Sequence, residues 1–169
     1  MQSRKAVRRE GVALGTVTVR PAAIRDAEAL ARLSVQLGYP SSRERVERRL
    51  ASLLGQPGHV VLVAEAESEG GGMPQTSQQV VAWIHGFVQP LVESDPTAQI
   101  GGLVVDEEWR GRGAGRLLVE HLERWARSAS CATVTVRSNV VREEAHQFYQ
   151  KMGYRVVKTQ RVFSKKVAH

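Results

Sequence analysis

Cysteine is almost missing from this chain. Cys131 stands alone among 169 residues, so no internal disulfide can form and a reducing, cytoplasmic setting is expected. Its position between a helix and a strand marks it as a small apolar filler rather than a reactive thiol, since no base stands nearby. Long apolar runs are lacking too, and none approaches the roughly 20 residues that a membrane-spanning helix needs. The basic residues at the start are not followed by the apolar core of a signal peptide, so secretion is not expected. Aromatic residues make up 5% of the chain and are not interleaved with the basic ones, which disfavours a nucleic-acid surface. Acidic residues are in deficit: 17 Asp and Glu face 24 Lys and Arg, a net charge of +7. Part of that excess lies at the ends, in Arg4, Lys5, Arg8 and Arg9 and in Lys165 and Lys166. The remainder suits attraction of an anionic cofactor and a solvated surface.

What is present is ordinary for a globular protein: 42% apolar and 24% charged residues, enough for one core. The sequence predicts a flexible basic tail over 1–15 and a single domain over 16–169. Thr16 to Val19 alternates as a first strand that Pro21 ends. Ile24, Ala27, Leu30, Ala31, Ser34 and Leu37 recur at helical spacing up to Gly38, and a second helix starts at Ser41 or Ser42. These two helices are expected to form a flap over the sheet. Val60 to Ala64 and Val80 to Val88 read as an antiparallel pair, joined by a flexible loop from Glu67 to Gln79 that carries no visible chemistry. Ile100 to Val105 reads as the central strand, in which Gly101 and Gly102 mark either a bulge or a close packing contact. A helix follows with Ala114, Leu117, Leu118, Leu122, Trp125, Ala126 and Ala129 on one face. Then come a strand at 132–137, a short helix ending at Gly153, and a closing hairpin of Tyr154 to Val157 with Arg161 to Ser164. The fold class is therefore α/β (α+β): a mixed, mostly antiparallel sheet of six to seven strands flanked by about four helices.

The chain is organised around Val104-Val105-Asp106-Glu107-Glu108-Trp109-Arg110-Gly111-Arg112-Gly113-Ala114-Gly115-Arg116. An apolar strand passes an acidic turn, becomes a glycine-rich loop and runs straight into an amphipathic helix. Glycines let successive backbone N–H groups converge, and the helix adds its unpaired N–H groups and positive dipole end. With Arg110, Arg112 and Arg116 around it, the loop is a receptor for a multiply charged phosphate ligand. It is not a Walker loop, which needs Lys-Ser or Lys-Thr after the last glycine. Nor does it have the spacing of a dinucleotide fingerprint.

Arg110-Gly111-Arg112-Gly113-Ala114-Gly115 resembles the R/Q-x-x-G-x-G/A pyrophosphate loop of the GNAT superfamily of acetyl-CoA-dependent N-acetyltransferases. Ala145-His146-Gln147-Phe148-Tyr149-Gln150-Lys151-Met152-Gly153-Tyr154 resembles the A-x-x-F-Y-x-x-x-G-[YF] motif of the same superfamily. Within it, Arg137 to Tyr149 and the ending Lys158 to Lys165 look like the aminoalkylphosphonate N-acetyltransferase branch. The resemblance implies a V-shaped split between the strands at 100–105 and 132–137, with acetyl-CoA lying in it. The amides from Arg110 to Gly115 would take the pyrophosphate, and the backbone of Leu103, Val104 and Val105 the pantetheine. Asn139 would bond the pantetheine arm, although a turn or cap role fits it too. Tyr149 would lie beside the thioester sulfur, although core packing fits it too. Phe148, a core residue by its spacing, joins the cofactor-binding set through the same motif. No metal is implied.

The chemistry then follows from the reactants. An alkylamine titrates near 10 and is mostly charged at pH 7, so the site must remove a proton directly or through water. The oxyanion needs a donor, most simply a backbone N–H near Leu103 to Val105. Tyr149 is the expected catalytic donor to the leaving thiolate, in a direct transfer with no acyl-enzyme. Where the phosphonate branch often carries a carboxylate, Gln99 stands here, so a water chain, Glu93, Asp95 or His85 must serve as base, or the amine arrives neutral. Arg43, Arg45, Arg48 and Arg49 on the second flap helix favour a small or anionic amine acceptor over a peptide. A protein or peptide amine acetyltransferase, or a non-catalytic acyl-CoA-binding protein, remains an alternative, and a homodimer is a further expectation.

Overall fold

The computed structural model describes residues 16–68 and 77–167. The expected tail over 1–15 and the middle of the loop after Glu67 lie outside the described residues. The packing divides after Val136, and the two units are described in turn.

In the first unit five strands lie in the order of the chain: β1 (Val17–Pro21), β2 (His59–Ser68), β3 (Ser77–Gln89), β4 (Thr97–Val105) and β5 (Val134–Val136). The first three pairings are antiparallel and the last, β4 with β5, is parallel. This is the mixed, mostly antiparallel sheet that alternation suggested. The hairpin is longer than expected, since Ala66 pairs with Gln79 and Glu67 with Gln78 inside what the composition had marked as loop. Backbone pairing is indifferent to side-chain polarity, so a polar stretch at an exposed hairpin tip extends the ladder.

Helices α1 (Ala27–Leu37) and α2 (Arg43–Leu53) follow β1. Gly38 ends α1 in the left-handed region at φ 92°, and Ser42 caps α2 by accepting from the Arg45 N–H at 3.4 Å. Their apolar faces bury Leu30, Leu33, Val46 and Leu50 against Val61, Val63 and Val104. Two details differ from the spacing argument. Ile24 sits 39% exposed in a 3-10 turn (Ile24–Asp26) ahead of α1, while Leu33 is fully buried although it lay off the expected stripe. The turn shifts the helix start, and the buried face rotates with it.

Helix α3 (Ala114–Ser128) lies against the other face of the sheet, where Leu118, Val119 and Leu122 are wholly buried. A Cβ on Gly86 of β3 would stand 2.6 Å from Leu122 Cδ1, so only glycine allows this approach. Cys131 is buried and free, as expected of a filler. The ion pairs that hold β1 are structural. The Arg20 fork donates to Asp26 at 2.7 and 2.8 Å and to Glu65 at 2.5 Å.

In the second unit helix α4 (Glu143–Lys151) is followed by Gly153 at φ 90°. The expected closing hairpin is a correction: 154–157 and 161–164 form no strand among the described residues, which leaves five strands rather than six or seven. Val156, Val157, Val162 and Phe163 are 75%, 83%, 91% and 88% exposed. Their β-branched and aromatic character suits a strand, but a strand also requires a partner ladder, which local sequence cannot supply.

Candidate functional site

The loop that the sequence singled out forms as a nest. β4 ends at Val105. Asp106 then caps a short 3-10 turn (Glu107–Trp109), its side chain accepting from the Glu108 N–H. Gly111 and Gly113 hold φ 75° and 88°, a region that residues with a Cβ rarely adopt. No atom lies within 4 Å of where a Cβ would stand at either, so the loop backbone is open to approach. Gly113 caps α3, whose first internal bond is Leu117 N to Gly113 O at 3.0 Å. The N–H groups of Ala114, Gly115 and Arg116 therefore precede the helical ladder and sit at its positive end. This donor set fits a diphosphate, by backbone alone.

The three arginines are arranged differently from a simple ring of cations. Arg110 donates through Nε to the Val105 carbonyl at 3.4 Å and lies 3.8 Å from Glu107. Arg112 stacks over the Trp109 ring, 4.7 Å from its centroid. Arg116 pairs along the helix with Glu120 at 2.7 Å. Each is exposed, so each keeps its charge at the surface near the nest while leaning on a neighbour.

Two features fix where the loop begins. Arg32 of α1 donates to both the Asp106 carboxylate and the Val80 carbonyl, and the Glu107 N–H donates to Gln36 Oε1 at 3.0 Å. Burial works to raise the Asp106 carboxyl, yet Arg32 and the Glu108 N–H hold it below the ordinary carboxylate range.

Upstream, Leu103, Val104 and Val105 run along β4, with Val104 buried and the other two half-buried. The parallel ladder joins Ala98, Gln99 and Ile100 to Val134, Thr135 and Val136 and goes no further. Beyond Ile100 the β5 side of β4 carries no ladder bond among the described residues. Gly101 is the extra residue of a register shift opposite His85 and Gly86. A Cβ on Gly102 would lie 3.0 Å from the Trp83 ring, so the two glycines answer both alternatives, a bulge and a close packing contact.

Of the possible bases, Glu93 and Asp95 are exposed in the turn between β3 and β4. Gln99 is buried and donates to Thr97 Oγ1 at 3.3 Å. His85 is half-buried on β3, its Nε2 3.1 Å from His59 Nδ1. His59 was missed from the sequence, because two histidines 26 residues apart are joined only by the β2–β3 register.

In the second unit Tyr149 is buried and packs edge-on against Phe148 and Tyr154, with ring centroids 5.1 and 5.5 Å apart. Burial pushes its hydroxyl up to about 12, so it stays protonated across the neutral range. Asn139 makes the turn before α4, its Oδ1 accepting from the Val141 N–H at 3.3 Å.

The mixed sheet, with its central strand leading through a glycine-rich loop into the N-terminus of α3, places the chain in the α/β class. The profile of the Acetyltransferase (GNAT) family matches residues 24–154, and the chain belongs to that family. An aminoglycoside N(6')-acetyltransferase type 1 of Stenotrophomonas maltophilia is 30% identical over 137 residues, 81% of this chain and 85% of that protein. A putative acetyltransferase from Agrobacterium tumefaciens superposes with a TM-score of 0.70 at 25% identity, over 88% of this chain and 99% of that one. The aminoglycoside N-acetyltransferase AAC(6')-Iy, solved in complex with CoA, superposes at 0.74 with 15% identity, over 96% and 100% of the two chains. The protein is an acyltransferase enzyme of the N-acetyltransferase type. Among the described residues no helix is long and apolar enough to cross a membrane.

Proposed function

We propose that this enzyme transfers the acetyl group of acetyl-CoA to a primary amine of a small molecule, directly and in a ternary complex. The observation that carries this reading is the nest at Gly111 and Gly113, open to approach and set at the N-terminus of a fifteen-residue helix. Its donors match a diphosphate, which is the anionic anchor of coenzyme A. The backbone of Leu103 to Val105, free of ladder bonds to β5, is offered to the pantetheine amides. A single domain over 16–169 and a cytoplasmic location go with this assignment, and the family profile over 24–154 supports the former.

Tyr149, Phe148 and Asn139 enter on the strength of their motif. A phenol near 12 is a much weaker acid than a thiol near 8.5, so giving its proton to the thiolate outright would cost about 5 kcal/mol. Tyr149 therefore acts as a hydrogen-bond donor to the leaving sulfur, which lowers the barrier without a complete transfer.

Two acceptor classes have support. The name of the Stenotrophomonas relative favours the 6'-amine of an aminoglycoside. The four exposed arginines of α2, Arg43, Arg45, Arg48 and Arg49, favour an amine carrying an anionic group. A thiol-release assay with acetyl-CoA over kanamycin and 2-aminoethylphosphonate separates them. Turnover of kanamycin alone selects the first and turnover of the phosphonate alone the second. Absence of thiol release, together with no melting shift from millimolar acetyl-CoA, rejects the acetyl-transfer reading itself. The exposed row from Val156 to Phe163 supports a homodimer as the working form, which sedimentation equilibrium tests; a monomer at micromolar concentration rejects it.

A further inference from the structure

On the face of the sheet that carries Trp83, three rings form a cluster at the ends of β2 and β3. His59 and His85 stack with ring centroids 5.4 Å apart and an interplanar angle of 17°. Phe87 closes the triangle, 5.8 Å from His59 and 5.7 Å from His85. The two imidazoles are joined by the His59 Nδ1 to His85 Nε2 contact at 3.1 Å. This uses one nitrogen of His85 and leaves Nδ1.

That second nitrogen looks onto Gly101. A Cβ there would stand 3.1 Å from His85 Nδ1 and 3.2 Å from Phe87 Cε1, and Gly101 is itself exposed although it lies midway along the central strand. Only glycine fits there without displacing a ring, so the exposed backbone of the central strand comes up against the imidazole, with Phe87 alongside and Gly102 and Trp83 next along the strand. A ring nitrogen that faces an exposed glycine in the middle of β4, with no hydrogen-bond partner among the described residues, is not arranged like a packed core histidine, whose nitrogens bond to protein on both sides.

We infer that His85, held by His59, takes the proton from the acceptor amine; this rests on the acetyl-transfer reading above. His85 Nε2–H donates to His59 Nδ1, which leaves His85 Nδ1 as the lone-pair nitrogen beside the exposed Gly101. An ammonium beside Gly101 gives its first proton to Nδ1, an uphill transfer that the C–N bond formed next draws forward. The freed lone pair forms the C–N bond at the acetyl carbon, and the C–S bond breaks with its electron pair leaving on sulfur. The second proton shed by nitrogen ends on that sulfur, and the first passes from His85 to solvent. His59 touches no substrate and acts as a positioning residue: it fixes the His85 tautomer and accepts from the imidazolium once formed. Burial, and then the cost of placing a second positive charge beside the His59 ring, hold the His85 pKa below its ordinary value, so the ring is a free base at pH 7. His59 from β2 is the titratable group facing it; Phe87 of β3 and Gly101 and Gly102 of β4 bring no charge.

The test compares two amines under one enzyme. Propylamine titrates near 10, as a lysine side chain does, and needs its proton removed at pH 8.5. Glycinamide titrates near 8, as an α-amine does, and is mostly neutral there. Wild-type thiol release from acetyl-CoA is measured with each, then repeated with His85→Gln and His59→Asn. Expected for His85→Gln is a loss of about 100-fold with propylamine and within about threefold with glycinamide. The melting shift caused by acetyl-CoA should be retained. For His59→Asn a smaller loss with the same preference is expected. Equal losses for both amines, or no loss for either, overturn the assignment while the retained melting shift leaves the acetyl-transfer reading standing. Should His85→Gln not fold, the wild-type pH profile decides. A plateau of kcat/KM for propylamine between a limb below about 6.5 and one near 10 supports the base, and a continuous rise to about 10 overturns it.

Discussion

Arg32, in the middle of α1, forms an ion pair with Asp106, the residue that closes β4 and opens the turn into the glycine nest. The two are 74 positions apart, and the contact ties α1 to the start of the glycine-rich loop. Asp106 is buried while Arg32 remains partly exposed, so removing the cation strands a carboxylate in the protein. Arg32→Met is therefore expected to cost about 1.5–3 kcal/mol in a urea titration. Acetyl-CoA affinity should fall with it, because the loop entry loses its anchor. Gln36→Ala, which removes a neutral bond to the Glu107 N–H, should cost about 1 kcal/mol. Equal stability of wild type and Arg32→Met would show that the pair is ornamental.

Acid should act through the same carboxylate and through Asp26. Burial opposes ionisation at both, but the arginine partners and backbone N–H groups win, and both pKa values lie below the ordinary one. A depressed carboxylate contributes stability that is present above the unfolded pKa of about 3.9 and is lost as the pH falls through the folded value. The melting temperature should hold from neutrality down to about pH 4 and then drop steeply. Asp26→Asn and Asp106→Asn should each start lower and fall less over that acid range. A parallel fall in all three proteins would assign the acid sensitivity elsewhere.

The nest can be tested apart from general backbone strain. Gly113 and Gly55 both sit at positive φ, 88° and 81°, with open space where a Cβ would go. Placing valine at Gly113 or alanine at Gly55 should cost about 1–3 kcal/mol of stability in either case. Only Gly113→Val should weaken acetyl-CoA binding tenfold or more, about 1.4 kcal/mol, read by calorimetry. Wild type at 100 times its dissociation constant should gain about 2.7 kcal/mol from the ligand. Matching affinities for both variants would mean that the nest binds something else.

For Tyr149→Phe, kcat should fall by about 10- to 100-fold, some 1.4–2.7 kcal/mol, with the KM for acetyl-CoA unchanged. Because the phenol titrates near 12, the wild-type rate should show no limb from it between pH 6 and 10. A rate unaltered by the substitution would leave Tyr149 as packing between Phe148 and Tyr154.

Gly86 and Leu122 give a control on the fold. Alanine at Gly86 drives a Cβ to 2.6 Å from Leu122 Cδ1 and should cost about 1–3 kcal/mol by overpacking. Leu122→Ala should cost about 2–5 kcal/mol by the cavity it opens. The double variant should be more stable than the sum implies, since one change fills part of what the other empties. Strict additivity would place the helix farther from the sheet than these distances do.

By itself the amino-acid order determined whatever depends on neighbours along the chain. The apolar run at Val60 to Ala64 and its partner at Val80 to Val88, a helical stripe after Ala114, and glycines at 38, 111, 113 and 153 each act within a few residues. Those are the elements, the nest and the family to which the protein belongs. Only the tertiary structure decided what depends on register and burial. The bulge at Gly101 sets an exposed glycine against His85, and the β2–β3 ladder carries His59 to the same ring. Asp106 finds Arg32 across 74 residues, and among the described residues the stretch after Tyr154 lies outside any strand despite its valines. A cross-strand neighbour is set by pairing geometry and by the removal of water, neither of which is written in a residue's own surroundings along the polypeptide.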